Sequence, residues 1–316
     1  MDIYNNDRKG FDFEILIDES FASINTNKNL LPTNNKNVLS LINDFEDGEW
    51  RYTKFQSFIW DNIVETALSK NERDKLVNQD QSRLIAAAKN LRLTDNECDI
   101  GRGSELAEIV LYGIMKHHYR ALSIVPKIFY KQNVQDNAKG ADSVHIVLDG
   151  NNDFSIWFGE AKFYDSIENA RLDKVIVSVG ESIQSDKLKK EKSIITNVSD
   201  IDYIIKDIVL KNKIKTLLSG IVSIDEFKPK LHIPILLLHE CSKTKCVTEL
   251  SENYKNDILV YHKDRACAYF SRQISKLGKE IYKYSDIKFH LILFPVPNKK
   301  KIVDKFTTNV VFYKEQ

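Results

Sequence analysis

Cysteine is scarce in this chain. Four residues, Cys98, Cys241, Cys246 and Cys267, are spread through 316, and no Cys-x-x-Cys pair occurs. That excludes a disulfide-stapled scaffold and the common zinc modules built on closely spaced cysteine pairs. Cys241 and Cys246, with His239 and Glu240 nearby, fit no common zinc spacing and read as reduced thiols. Glycine and proline are also sparse, 11 and 6 residues. No P-loop, G-x-G-x-x-G turn or Ser-centred elbow is present, so nucleotide hydrolysis and acyl transfer have no support. Charge of one sign is lacking: 46 Lys and Arg face 45 Asp and Glu, for a net charge of +1. No global basic field announces nucleic acid, although a local basic groove stays compatible. No apolar run reaches the length of a membrane span, and the longest, Leu231 to His239, is strand-sized. The N-terminal stretch is polar and has no apolar core of the signal-peptide kind. The expectation is a cytosolic protein without contact with the membrane.

What is present is a globular composition, 42% hydrophobic and 29% charged, long enough for one large domain or two ordinary ones. Apolar periodicity predicts a strand over Phe11–Ile17 and helices over Thr53–Ser69 and Asp80–Leu93. The polar stretch Thr94–Gly103 then marks a soft boundary. It separates an N-terminal mixed α/β region, residues 1–96, from a second region, residues 97–316. The second region opens with an amphipathic helix, Ser104–Tyr119, with Ser104 as N-cap. Strands are predicted at Ser123–Lys131, Ala141–Asp149 and Phe154–Phe163, the last two joined by the turn Gly150–Asp153 into a hairpin. A long helix over Ser166–Glu191, a helix over Ile201–Leu218, a buried strand at Leu231–Leu238 and a long helix over Ile258–Tyr284 follow. A strand over Lys288–Pro297 and a lysine-rich helix end the chain. The fold class is α/β, a mixed central sheet flanked by helices.

One stretch resists a purely structural explanation. In "WFGEAKFY", Trp157–Tyr164, Glu160 and Lys162 stand two apart on an apolar strand and so share a face. Asp142 stands at the start of the preceding strand, and Glu105 and Glu108 on the preceding helix. Helix carboxylate, strand aspartate, turn and Glu-x-Lys is the layout of a PD-(D/E)xK nuclease core. Phosphodiester hydrolysis explains these residue types. Two carboxylates on adjacent strands can converge on Mg²⁺, or on Mn²⁺, which prefer hard oxygen ligands. A third from the helix can help with a second ion. The lysine can orient or deprotonate the attacking water and offset developing charge.

Spacing leaves alternatives open. A surface ion pair on an exposed hairpin fits the strand residues equally well. Either Glu105 or Glu108 could serve from the helix, where a carboxylate also simply meets the helix dipole. The other Glu-x-Lys, Glu226 and Lys228 in "DEFKPK", lacks a paired hairpin and reads as a solvated loop. His145 lies an odd number of residues from Asp142 and should face the other way, in a structural role. Tyr164 shares the side of Glu160, Ser182 and Gln184 are weak candidates on the following helix, and Trp157 reads as core. The basic runs Asp186–Lys192 and Asn298–Lys305 read as solvated helix faces that could also track a DNA backbone.

"AEIVLYGIM", "KGADSVHI" and "GEAKFY" together resemble the HamA family, the nuclease subunits of the Hachiman anti-phage defence system. Gly140, Asp142 and His145 match the family's Gly-x-Asp strand, and Gly159, Glu160, Lys162 and Tyr164 its Gly-Glu-x-Lys-x-Tyr strand. The helix match selects Glu108, with Ala107 where the family has glycine. Ala161 stands where the family has serine. The resemblance runs from about Arg102 to Phe306. It implies a metal-dependent DNase with Glu108, Asp142 and Glu160 as metal ligands and Lys162 as the catalytic lysine. It also implies restraint by a superfamily 2 helicase partner, HamB, and cleavage of DNA largely without sequence preference.

Overall fold

Among the described residues, seven strands build one central sheet. β1 is Glu14–Ser20 and β2 Lys36–Ile42; β3 (Phe45–Glu46) and β4 (Glu49–Trp50) form a separate small hairpin. Then come β5 (Leu122–Val125), β6 (Ser143–Asp149), β7 (Asp153–Tyr164), β8 (Leu231–Glu240) and β9 (Lys288–Val296). The spatial order is β1-β2-β9-β8-β7-β6-β5. The central strands β2, β9, β8 and β7 run parallel, and β1, β6 and β5 add antiparallel edges. This computed structural model describes residues 11, 13–93, 104–130, 140–150, 152–197 and 200–316.

Helices cover both faces, as a parallel centre requires. β8, "LHIPILLLHE", is apolar on both sides because it is buried on both sides. β7 alternates between two cores. Ile156, Phe158 and Tyr164 face helices Asn169–Ser182, Ile208–Leu218 and Glu252–Glu280. Trp157, Ala161 and Phe163 face helices Tyr52–Ala67, Ser104–His117 and Lys299–Lys314. Fully burying each leucine of Leu236–Leu238 is worth roughly 1.5–3 kcal/mol. Among the described residues, no helix is long and apolar enough to cross a membrane.

Several predicted elements differ in the structure. The strand expected over Ser123–Lys131 stops at Val125, and a short helix, Lys127–Tyr130, follows Pro126, which has no N–H to offer a ladder. The helix expected over Ser166–Glu191 is two helices, Asn169–Ser182 and Ser185–Asn197. The one over Ile201–Leu218 is also two, because Asp207 caps a new start by accepting from Leu210 N at 2.9 Å. The long helix before β9 begins earlier, at Glu252, where the Ser251 hydroxyl accepts from Tyr254 N. "DEFKPK" is not solvated at its lysine: Lys228 is buried and donates to Tyr282 O at 2.6 Å. The first predicted strand lies further along, at Glu14–Ser20. β2 has no counterpart among the predicted strands, and with β1 it lies in the same sheet as the later strands.

Candidate active site

The site grows from the β6–β7 ladder. Ser143 pairs with Gly159, so Asp142, one residue ahead of β6, comes level with Glu160. Asp142 N donates to Gly159 O at 2.8 Å. Its carboxylate Oδ2 accepts from Ala161 N at 3.0 Å, which fixes the side chain across the strand end. Glu160 and Lys162 follow on the same face by the strand period. Lys162 Nζ stands 2.5 Å from Glu160 Oε1 and 3.8 Å from Asp142 Oδ2. Ser178, on helix Asn169–Ser182, donates its hydroxyl to the same Glu160 oxygen at 2.6 Å. Two carboxylates from neighbouring strands thus converge on one cationic atom.

Burial grades across the group. The Glu160 side chain is 7% exposed, Asp142 16% and Lys162 28%, so the cluster opens to solvent on the Lys162 and Asp142 side. Burial first, then the charge of Asp142, push the Glu160 carboxyl above its usual range, against the pull of Lys162 and Ser178. Burial works to lower the Lys162 ammonium, but Glu160 and Asp142 together outweigh it and the net direction is upward. Lys162 is therefore a held proton donor at neutral pH. Tyr164, next on this face, is raised mainly by burial, and Arg171 lies 5.3 Å over its ring.

The helix carboxylates separate cleanly. Glu105 accepts from Arg92 N at 3.0 Å and from Leu93 N at 3.1 Å, so its oxygens anchor the preceding loop. Glu108 is buried, 5% exposed. It stands one turn before Tyr112, whose ring lies 5.2 Å from that of His145. That is the face of the sheet opposite Asp142, Glu160 and Lys162. The helix approaches closely there: a Cβ on Gly159 would stand 2.1 Å from Ser143 Oγ and 2.7 Å from Leu111 Cδ2, so any side chain there would have to displace both. Among the described residues, no three His, Cys, Asp or Glu side chains are grouped to hold a metal ion. The structure brings Asp142, Glu160 and Lys162 together, and carries Glu108 on the helix that packs against the opposite face of β7.

His145 faces away from Asp142, in the core, as its spacing required, and Trp157 is core, stacked on His290 with ring centroids 4.2 Å apart. Ser182 bonds its own helix, at Val179 O. The residue missed from sequence is Ser178. It stands three residues after Val175 and four before Ser182 on the inward helix stripe, and a hydroxyl on that stripe was the available signal. The basic run from Asn298 is largely paired: Lys299 with Asp165 at 3.4 Å, Lys300 with Asp304 at 3.7 Å and Lys301 with Glu49 at 3.9 Å.

Residues 18–310 match the family model described as HamA. The chain belongs to the HamA family. A comparison with curated proteins finds no match. The HamA match takes in β2 through β9 and includes Glu108, Asp142, Glu160 and Lys162. HamA membership supports a component of the Hachiman defence system.

Proposed function

We propose that this chain is a metal-dependent DNA nuclease with a PD-(D/E)xK-like core, the effector of its defence system, held in check by a helicase partner of the HamB kind. The observation that carries the chemistry is the convergence of Asp142 and Glu160 on the Lys162 ammonium at the open end of the β6–β7 hairpin, away from its turn. Family membership supports the defence role and the partner.

The donor set suits Mg²⁺ or Mn²⁺. Both carboxylates are oxygen ligands, they face one point, and that point already attracts a cation in the form of Lys162. Asp142 and Glu160 would hold the ion, and Glu108 would lend support only by reaching it past the end of the sheet from its helix. A bound divalent ion would supply Lewis-acid stabilisation of a phosphoryl oxygen and a more acidic water. Ser178 keeps the Glu160 oxygen oriented, and Ala161 N keeps that of Asp142 in place. Lys162 holds its proton, so it orients the attacking water and offsets developing negative charge.

The test is cleavage of supercoiled plasmid by the purified chain with Mg²⁺ or EDTA, alone and with the helicase partner and ATP. Mg²⁺-dependent cutting, lost in both Lys162→Ala and Glu160→Ala, is the expected result. Equal cutting by the variants and wild type, or silence under every condition, would sink it. DNA held equally well with and without Mg²⁺, and never cut, would mark a binding subunit. A matched RNA substrate cut in preference would reassign the substrate.

A further inference from the structure

A second charged pair sits behind the hairpin and is unlike the first. Lys127 Nζ and Glu191 Oε2 lie 2.7 Å apart, their side chains 1% and 3% exposed. Lys127 opens the short helix after β5, and Glu191 lies in helix Ser185–Asn197. Stability alone does not require such a pair, because well-packed apolar residues of similar volume hold a core at least as well. The other oxygen of Glu191 has a specific target. Oε1 accepts from Ala141 N at 3.1 Å, the amide next to Asp142. The preceding residue, Gly140, is pressed against the same carboxylate: a Cβ there would stand 1.5 Å from Oε1.

The segment that delivers Asp142 is therefore gripped from two sides. β7 holds it through Gly159 O and Ala161 N, and Glu191 holds it through Ala141 N. Lys127 fixes the Glu191 carboxylate in turn. We infer that Glu191, locked by Lys127, is a positioning residue that sets where the Asp142 carboxylate stands, and that Gly140 is glycine to admit that grip. The inference rests on the reading of Asp142 as a metal ligand. Groups that orient a ligand commonly control metal affinity by about 10–100-fold.

The experiment measures Mn²⁺ binding to the full chain by electron paramagnetic resonance, beside thermal melting. Two double variants avoid stranding a buried charge. Lys127→Met with Glu191→Gln removes the ion pair but keeps an oxygen for Ala141 N. Lys127→Met with Glu191→Leu removes that oxygen too. The first should bind Mn²⁺ close to wild type, and the second about tenfold more weakly or worse, while melting normally. Gly140→Ala, which keeps both charged residues, should also weaken Mn²⁺ binding, and it decides the matter if the leucine variant does not fold. Wild-type affinity in Gly140→Ala, or in a folded leucine variant, would overturn the positioning role and leave the nuclease reading standing. No Mn²⁺ binding by wild type would overturn both.

Discussion

Acid should unfold this protein through its buried histidines, and His145 is the cleanest probe. Its ring is 1% exposed, and among the described residues neither ring nitrogen has a hydrogen-bond partner. Burial pulls its pKa from 6.5 to about 3. The folded state keeps His145 neutral, while the unfolded chain takes up a proton once the pH falls below 6.5. Stability is therefore intact above pH 6.5 and is lost progressively as the pH falls toward 3. At about 1.36 kcal/mol per pH unit, the loss from His145 between pH 7.5 and 5.0 is about 2 kcal/mol. His232, at about 3, and His239, at about 4, act in the same direction for the same reason. Together the three remove about 6 kcal/mol, a large part of the 5–15 kcal/mol typical of folded proteins. The assay is urea unfolding of wild type and His145→Leu at pH 7.5 and 5.0. At pH 7.5 the variant should be as stable as wild type or about 1 kcal/mol more so, since it no longer buries unbonded nitrogens. At pH 5.0 its advantage should grow by about 2 kcal/mol. An advantage equal at both pH values would refute the argument, because His145 would then titrate in the folded protein. Mg²⁺-dependent cleavage should be unchanged, since the ring faces away from Asp142.

Glu160→Gln should abolish cleavage and raise the melting temperature at pH 7.5. A carboxyl whose folded pKa is raised costs stability as the pH rises through that value, so the gain should shrink toward pH 4.5; a lower melting temperature at pH 7.5 would contradict it. Ser178→Ala should slow cleavage about tenfold without unfolding the chain, by freeing the Glu160 oxygen that it holds at 2.6 Å; an unchanged rate would remove Ser178 from the site. Gly159→Ala should destabilise by about 1–3 kcal/mol in urea unfolding through its clash with Ser143 Oγ and Leu111. Adding Ser143→Ala, which removes the nearer atom, should recover part of that loss; none recovered would mean the clash lies elsewhere.

The hairpin and its three charged residues were legible because two signals coincide there: strand alternation and a polar turn, with charges placed on the apolar face. Glu105 and Glu108 could not be told apart from spacing, since both fit the helix start. Only the fold reveals that the Arg92 and Leu93 amides occupy Glu105. β2 escaped because it pairs on both sides and carries apolar residues without alternation. The break at Ile183–Gln184 escaped because helical periodicity runs through it. The Lys127–Glu191 pair was hidden for a different reason: it joins residues far apart in sequence, each looking like an ordinary surface charge.

The pairing of β2 with β9 ties the order of synthesis to the completion of the sheet. Lys36 lies beside Phe289 and Ser40 beside Leu293, so a strand made early waits for a partner made far later in the chain. Such distant pairing delays closure of the sheet and leaves β2 with an open edge meanwhile. A chain cut short before β9 has nothing to fill that edge, or the edge of β8 beside it. The sheet that carries the candidate site is thus complete only once β9 has been made.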